Sequence, residues 1–224
     1  MITINTNYPI FTTAIRAAER AGIALNVIQT ESVYRLAQQN NPNIVLCEKA
    51  PDDSFPHIKF VGPKLSFPNY SFDFRHGFDS QILDNTSPSN VDIDLFFINK
   101  SGPKNKMFIK RLESLDFNLK VIGMGFGISQ LNIDDLNEEK IAAMYNKANI
   151  IAADSIEEIL KAHHLNKVCI TPFNYYNCIN VKNIKHKSDI DGVGANTKDL
   201  VSKHTWQNIF NEIFELTQEE FRWK

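Results

Sequence analysis

The sequence has few cysteines and little net charge, and each shortage excludes a class of protein. Only Cys47, Cys169 and Cys178 occur among 224 residues, without the CxxC spacing or clustered histidines of a zinc site. We therefore expect reduced thiols rather than a disulfide framework or a metal centre. The formal net charge of -2 provides no general attraction for a polyanion, so contact with a nucleic acid would need a local basic patch.

Long apolar runs are also missing. No run approaches the ~20 residues that a membrane-spanning helix needs, and the polar start MITINTNYPIF lacks the basic region and apolar core of a signal peptide. We expect a cytoplasmic protein without a membrane span. What the chain does have is 43% hydrophobic residues, which is enough to bury the core of one large domain or two small ones.

Short apolar segments alternate with helical patterns near the start of the chain. The predicted strands cover 2–5, 24–29 and 43–48, and the predicted helices cover 11–23 and 32–40. This order predicts a parallel sheet, because parallel neighbours need crossover connections and helices provide them. From Pro51 to Asn90, prolines, aromatics and the polar run DNTSPSN interrupt the alternation. A domain boundary near residue 90 is predicted.

The alternation then restarts. Predicted strands cover 91–99, 118–123, 149–154 and 167–172, and predicted helices cover 103–115, 137–148 and 155–165, the last with Ser155 as its N-cap. The predicted fold is therefore α/β, with two Rossmann-like parallel-sheet halves (1–90 and 91–204) facing a cleft. Residues 205–224 are predicted to form a C-terminal helix that packs back on the N-terminal half through an apolar stripe.

Three glycines follow one of these strands. The segment NLKVIGMGFGIS (118–129) places Gly123, Gly125 and Gly127 directly after it. In dinucleotide-binding enzymes such glycines open a helix at once, so that the pyrophosphate lies on the helix N-terminus. Here no convincing helix begins before Asn137, which disfavours an NAD-type oxidoreductase. A glycine-rich bend and a backbone that lies close to a ligand both remain open.

Several motifs from Asp92 onward occur together in a recognisable order. They are DIDLFFINKSGPKNKMFIKRLESL, LKVIGMGFG, LNEEKIAAMYNKANIIAADS, ILKAHHLNKVCIT and the closing DLVSKHTWQNIFNEI. In order and spacing they resemble the C-terminal half of GT-B glycosyltransferases, especially the CgeB-like and family 1-type group. The resemblance covers about half of the chain, and residues 1–90 match only as a generic Rossmann half.

The resemblance implies a transferase that uses a nucleotide sugar, UDP- or GDP-linked, as its co-substrate, with no other cofactor and no metal. Helix N-termini, backbone N–H groups and lysines would stabilise the charge that grows on the departing phosphate. The basic residues here also fit a solvated helix face. The residues implied to bind the donor are Ser101, Gly102, Lys104, Lys106, Gly123, Gly125, Gly127, Ser155, Ile156 and Lys161.

The chain departs from that family at two positions. Lys161 stands where the family has a glutamate that holds the donor ribose, and Asn166 stands where it has a glycine. An ammonium group cannot accept hydrogen bonds from ribose hydroxyls. Either Glu157 or Glu158 substitutes, or the donor binds differently, or the chain is a non-catalytic relative that binds a nucleotide sugar or a partner. A helix pair between Glu157 and Lys161 is the simpler interpretation.

The acceptor side is less informative. In the family, acceptors bind in the N-terminal half, where the segment TNYPIFTT contains Tyr8, Thr12 and Thr13 and the segment FDFRHGFDS contains Arg75, His76 and Asp79. His76 is a candidate base because its ordinary pKa lies near neutrality, and Glu158 is the second catalytic candidate. The acceptor class is open between a small molecule, a glycan, a protein and a modified nucleic acid.

Overall fold

The computed structural model describes residues 2–5, 10–23, 25–28, 44–46, 59–61, 66–67, 70–71, 77–90, 92–99, 102–123, 130–131, 137–175, 177–190 and 197–222. The chain divides into two units, Met1–Asp79 with Lys203–Lys224, and Ser80–Ser202. The boundary between the units follows Asp79 and so lies before the predicted boundary near residue 90. The reason is that the Asn146 side chain binds the carbonyls of Leu83 (2.7 Å) and Thr86 (2.6 Å). These bonds tie the segment after Asp79 to the second unit.

The first unit contains a parallel sheet of four strands, β1 (Ile2–Asn5), β2 (Leu25–Ile28), β3 (Ile44–Leu46) and β4 (Lys59–Val61), in the order β2-β1-β3-β4. A two-stranded antiparallel pair, β5 (Ser66–Phe67) and β6 (Tyr70–Ser71), follows. Helix α1 (Ile10–Arg20) connects β1 to β2. It ends where Gly22, at φ +67°, adopts the left-handed conformation that commonly closes helices.

The second unit contains a parallel sheet of six strands, β7 (Leu95–Asn99), β8 (Leu119–Gly123), β9 (Gln130–Leu131), β10 (Ile150–Ala152), β11 (Val168–Thr171) and β12 (Ile179–Asn180). Their order is β12-β11-β10-β7-β8-β9, which is the order of dinucleotide-binding Rossmann folds. The α/β class with parallel sheets, predicted from the alternation, is confirmed.

The described α-helices of the second unit connect its strands or flank them in the chain. They are α2 (Ser80–Asn85), α3 (Lys106–Glu113), α4 (Glu138–Lys147), α5 (Ile156–His164) and the short α6 (Lys198–Val201). Phe96 and Phe97 lie on opposite faces of β7, where they meet Tyr145 of α4 (ring centroids 5.0 Å apart) and Phe108 of α3 (5.3 Å) edge to face. The sheet is therefore covered on both faces.

The C-terminal helix α7 (Trp206–Arg222) belongs to the first unit. Trp206, Phe210 and Ile213 are fully buried, and the Trp206 indole N–H donates to the Thr13 hydroxyl of α1 at 3.1 Å. A side chain at Gly77 would lie 2.5 Å from the Trp206 ring, so this glycine is required by space. None of the helices in the described part of the chain is both long and apolar enough to cross a membrane.

The edges of the second sheet differ from the sequence prediction. Four strands were predicted after residue 90, whereas the described residues form six, because β9 and β12 extend the sheet at its two edges. Each of these strands has two residues, which is too short to show a periodic hydrophobic pattern. The predicted helix at 32–40 lies outside the described residues.

Candidate functional site

The candidate site lies where β7 and β10 end. In a doubly wound sheet, ligands bind at the carboxyl ends of the strands where the strand order reverses. Here the order reverses between β7 and β10, since β8 follows on one side of β7 and β11 follows on the far side of β10. We call this place the switch edge; it is formed by the residues after Phe97 on β7 and after Ala152 on β10.

A buried polar network occupies the switch edge. The Asn105 side-chain amide donates to Asn99 Oδ1 at 2.9 Å and to Asp154 Oδ2 at 2.5 Å, and the Asn99 amide donates to the Gly102 carbonyl at 3.2 Å. Asn99 and Asn105 are almost inaccessible to solvent. Buried polar groups are costly unless they are bonded, so this network fixes the segment after β7 against the residue after β10.

The sequence analysis missed Asn99, Asn105 and Asp154. A signal existed, because Asn99 ends the apolar strand LFFIN and Asp154 is the first polar residue after NIIAA. Polar residues directly after buried strands of a parallel sheet are the ones that reach the ligand edge. The contact of Asn105 with both Asn99 and Asp154 could be found only from the strand order.

Gly102 opens the turn between β7 and α3. The segment Gly102–Asn105 forms a tight helical turn that leads directly into α3. Gly102 is buried with φ +57°, and a side-chain carbon placed on it would meet open space. Lys104 and Lys106 are exposed, and neither the turn nor the first turn of α3 contains an acidic residue. This helix start therefore presents backbone N–H groups and positive charge, which together suit an anion.

The N-terminus of α5 is different in charge. Ser155 caps it by accepting a bond from the Glu158 backbone N–H at 3.5 Å, and Ile156 is its first residue. Glu157 and Glu158 lie in its first turn. Carboxylates stabilise a helix start but repel a second anion there. Of the two helix starts at the switch edge, the one at Gly102–Asn105 is therefore better suited to a phosphate.

Lys161 is held within its own helix. Its ammonium lies 2.7 Å from Glu157 Oε1, 3.3 Å from Glu158 Oε1 and 5.7 Å from the Tyr145 ring centroid. Burial by itself would lower the pKa of Lys161, but the Glu158 and Glu157 carboxylates outweigh it and raise that pKa above its ordinary value. The side chain is 17% exposed, and Glu158 is 1% exposed. The raised pKa keeps Lys161 charged, and its ammonium stays engaged with these two carboxylates of its own helix.

Gly123 is brought to the network by strand pairing. It ends β8, where it pairs with Asn99 of β7 in the parallel ladder. Its φ of 110° is open to glycine and strained for other residues. The residue predicted as part of a glycine-rich bend thus lies beside the switch edge.

The comparisons with known proteins bear on the fold. No protein-family model matches the chain, and no curated protein is similar enough in sequence to count as a match. Among solved structures, the chain is similar to a Listeria monocytogenes protein provisionally assigned as a UDP-N-acetylglucosamine 2-epimerase, with a TM-score of 0.52 and 10% identity over 100% of this chain and 96% of that chain. The fold is GT-B-like. At this identity the likeness concerns the fold alone.

Other predicted residues of this GT-B-like chain are placed apart from the switch edge or lie outside the described residues. Asp79 belongs to the first unit, where it pairs with Arg20. Thr13 binds Trp206 in that same unit. The predicted residues that lie outside the described residues are Tyr8, Arg75, His76, Ser101, Gly125 and Gly127.

The adjacent histidines face different neighbours. His164 Nε2 lies 3.0 Å from Asp84 Oδ1, whereas His163 Nε2 lies 3.6 Å from Cys178 Sγ. Within the described ranges, no group of three or more His, Cys, Asp or Glu side chains is arranged to hold a metal ion.

Proposed function

We propose that the second unit binds a nucleotide sugar at the switch edge and that the protein transfers the sugar to an acceptor without a metal. The observation that carries this proposal is the Asn99–Asn105–Asp154 network beside Gly102. It fixes a helix start of positive character at the place where open α/β sheets bind their ligands.

The diphosphate is assigned to the turn Gly102–Asn105 and to Lys104 and Lys106. As the sugar leaves, negative charge grows on the departing phosphate oxygen. Backbone N–H groups fixed by the network would stabilise that charge, supported by the lysines, without having to reorganise during the reaction. This assignment needs no metal.

The nucleoside is assigned to the Asp154 side of the switch edge. A carboxylate can accept hydrogen bonds from two ribose hydroxyls, and Asp154 offers one next to the turn that would hold the phosphates. Glu158, predicted as a catalytic candidate, is buried against Lys161. In this proposal Glu158 positions α5 and does not touch the donor, and His76 remains the candidate base.

The family resemblance of residues 92–213 favours transfer as the reaction, and it supports a glycosyltransferase of the CgeB-like or family 1-type group. The rival is a non-catalytic protein that binds a nucleotide sugar or a partner. The ion pairs of Lys161 favour this rival, because they commit the residue at the family's ribose-binding position to its own helix. Epimerisation of the sugar is a third outcome, suggested by the assignment of the structurally similar protein.

Calorimetric titration with UDP, GDP and their sugars tests the binding. We expect Lys104→Ala and Lys106→Ala each to weaken nucleoside diphosphate binding by roughly tenfold, since a charge-assisted hydrogen bond contributes about 1.5 kcal/mol or more. Lys110→Ala is the matched control, because Lys110 is exposed in the last turn of α3. The affinity of Lys110→Ala for a nucleoside diphosphate should equal that of the wild type.

Product analysis of any donor that binds then separates the reactions. Release of the nucleoside diphosphate with free or transferred sugar supports a transferase, and an unchanged nucleotide carrying an isomerised sugar indicates an epimerase. Binding without turnover favours the non-catalytic rival. If the wild type binds none of these nucleotides, the transferase and the epimerase are both excluded, and only a non-catalytic protein that binds a partner remains.

A further inference from the structure

Cys169 of β11 lies beside Cys178, the residue that directly precedes β12. Strands β11 and β12 are parallel, and Ile170 pairs with Ile179 and Thr171 with Asn180. The same register, continued back by one residue, sets Cys169 opposite Cys178. Paired residues of adjacent strands point to the same face, and neighbouring strands lie about 4.8 Å apart. That spacing falls within the Cα separation of about 4.4–6.8 Å that a disulfide requires.

The two thiols differ in their surroundings. Cys169 is 1% exposed, whereas Cys178 is half-buried. A hydrogen bond from Cys169 and the nearby His163 lower the pKa of Cys178 below its ordinary value, while the bond to Cys178 and burial raise the pKa of Cys169. One sulfur of the pair is therefore accessible and readily ionised, and the other is buried and protonated.

His163 completes the arrangement. It lies in the last turn of α5, it is 5% exposed, and its Nε2 lies 3.6 Å from Cys178 Sγ. Its carbonyl accepts a bond from the Thr197 hydroxyl at 3.0 Å, so the backbone that carries the ring is fixed. A histidine beside a cysteine is the usual means of producing a thiolate at neutral pH.

We propose that Cys178, Cys169 and His163 form a peroxide-reactive dithiol site that closes to a disulfide between β11 and β12. His163 Nε2 takes the Cys178 proton, and the thiolate attacks a peroxide oxygen. An S–O bond forms, the O–O bond breaks, and the departing hydroxide receives the proton from His163. The Cys169 sulfur then attacks the Cys178 sulfenic acid, the S–S bond forms, and the second water leaves with the Cys169 proton. The two sulfurs lose two electrons, and hydrogen peroxide gains them.

The test uses the full chain carrying Cys47→Ser, so that only the two thiols of the site remain. One equivalent of hydrogen peroxide should remove two hydrogen atoms from the intact mass, and peptide mapping should link Cys169 to Cys178. Cys169→Ser should instead accumulate a sulfenic acid on Cys178 that dimedone traps. Cys178→Ser should form neither product, because the buried, protonated Cys169 does not attack peroxide.

The role of His163 is tested by the pH dependence of Cys178 alkylation with iodoacetamide. Among the residues that the structure describes, the titratable groups that act on Cys178 are His163 of α5 and Cys169 of β11, and Glu158 acts on Cys169. In the Cys169→Ser chain, where the serine hydroxyl can still donate to Cys178 beside His163, the midpoint should fall below the ordinary cysteine value of about 8.5. His163→Gln should slow alkylation at pH 7 by roughly tenfold, since one pKa unit changes the thiolate fraction about tenfold.

His164→Gln is the matched control, because His164 is the next residue, is equally buried, and contacts Asp84 instead of Cys178. Its alkylation rate should equal that of the parent chain. Three results would overturn the proposal: an alkylation midpoint near the ordinary value, no disulfide between Cys169 and Cys178 after peroxide, or equal effects of the two histidine substitutions. The midpoint and the mapping need no histidine variant, so they decide the question even if His163→Gln does not fold.

Discussion

At the scale of single residues, Lys161 shows how one side chain can provide the partner of a buried carboxylate. Its charge lies between Glu157 and Glu158 and over the Tyr145 ring. The almost fully buried Glu158 carboxylate needs that charge, because an ionised group deep in the protein is costly without a partner. The simpler interpretation of the sequence, an i,i+4 pair of Glu157 and Lys161, is present in the structure. Glu158 adds a second, buried carboxylate to the same ammonium.

We therefore expect Lys161→Met to lower the free energy of unfolding by about 3 kcal/mol, because it leaves a buried carboxylate without its cation. Lys187→Met is the matched control. Lys187 also pairs with an aspartate (Asp94, 3.1 Å) and lies over an aromatic ring (Phe117, 5.1 Å), but its side chain is 51% exposed. Lys187→Met should lower the free energy of unfolding by no more than about 1 kcal/mol. Urea denaturation of both variants measures the difference, and equal losses would show that Glu158 does not depend on Lys161.

At the scale of elements, the turn from β7 into α3 couples backbone conformation to the proposed site. Gly102 is held at φ +57°, and its carbonyl accepts the bond from Asn99. Residues with a side chain adopt this conformation at a cost. The same conformation occurs at Gly22, where it ends α1 in the first unit. Gly22 and Gly102 thus both need a positive φ, but only Gly102 lies in the turn that is proposed to bind phosphate.

Gly102→Ala and Gly22→Ala should each lower the free energy of unfolding by about 1–2 kcal/mol, because at both positions the added carbon meets open space and only the backbone is strained. Only Gly102→Ala should weaken the binding of a nucleoside diphosphate. Thermal denaturation and calorimetry on the same two preparations make the comparison. A loss of affinity in Gly22→Ala, or none in Gly102→Ala, would remove the phosphate from this turn.

At the scale of the whole molecule, the chain returns to its first unit after completing its second. Helix α7 places Trp206, Phe210 and Ile213 in the core of the first unit. The backbones of Phe78 and Trp206 are joined by a hydrogen bond of 3.0 Å. The second unit, by contrast, is continuous from Ser80 to Ser202 and contains its own apolar cluster around Leu95, Phe97 and Ile170.

Residues 80–202 expressed alone should therefore unfold cooperatively on heating, because the described strands of their sheet and the apolar cluster around Leu95 all lie within this range. Residues 1–79 alone should fail to do so, since they lack the three large side chains of α7. Addition of a peptide covering 203–224 should restore a cooperative transition, and the same peptide with Trp206→Ala should not. Circular dichroism measures each transition. Cooperative folding of 1–79 without the peptide would contradict this division.

Much of the local structure was predictable because it depends on neighbours in the chain. The strand that became β7, the N-cap at Ser155 and the helix at 11–23 that became α1 were all predicted from short patterns, and the structure has them. The switch edge was only partly predictable. Gly102 and Gly123 were singled out, but Asn99, Asn105 and Asp154 were not, because Asn105 and Asp154 are separated by 49 positions in the chain.

The sequence by itself determined the α/β class and the alternation of elements, because hydrophobic periodicity and helix caps act within a few residues. Tertiary structure decided which strands are neighbours. That choice placed Gly123 beside Asn99, joined Asn105 to Asp154, and set Cys169 opposite Cys178. Strand order and register depend on the burial of whole faces and on crossover connections. Contacts between residues far apart in the chain therefore become visible only when the sheet is assembled.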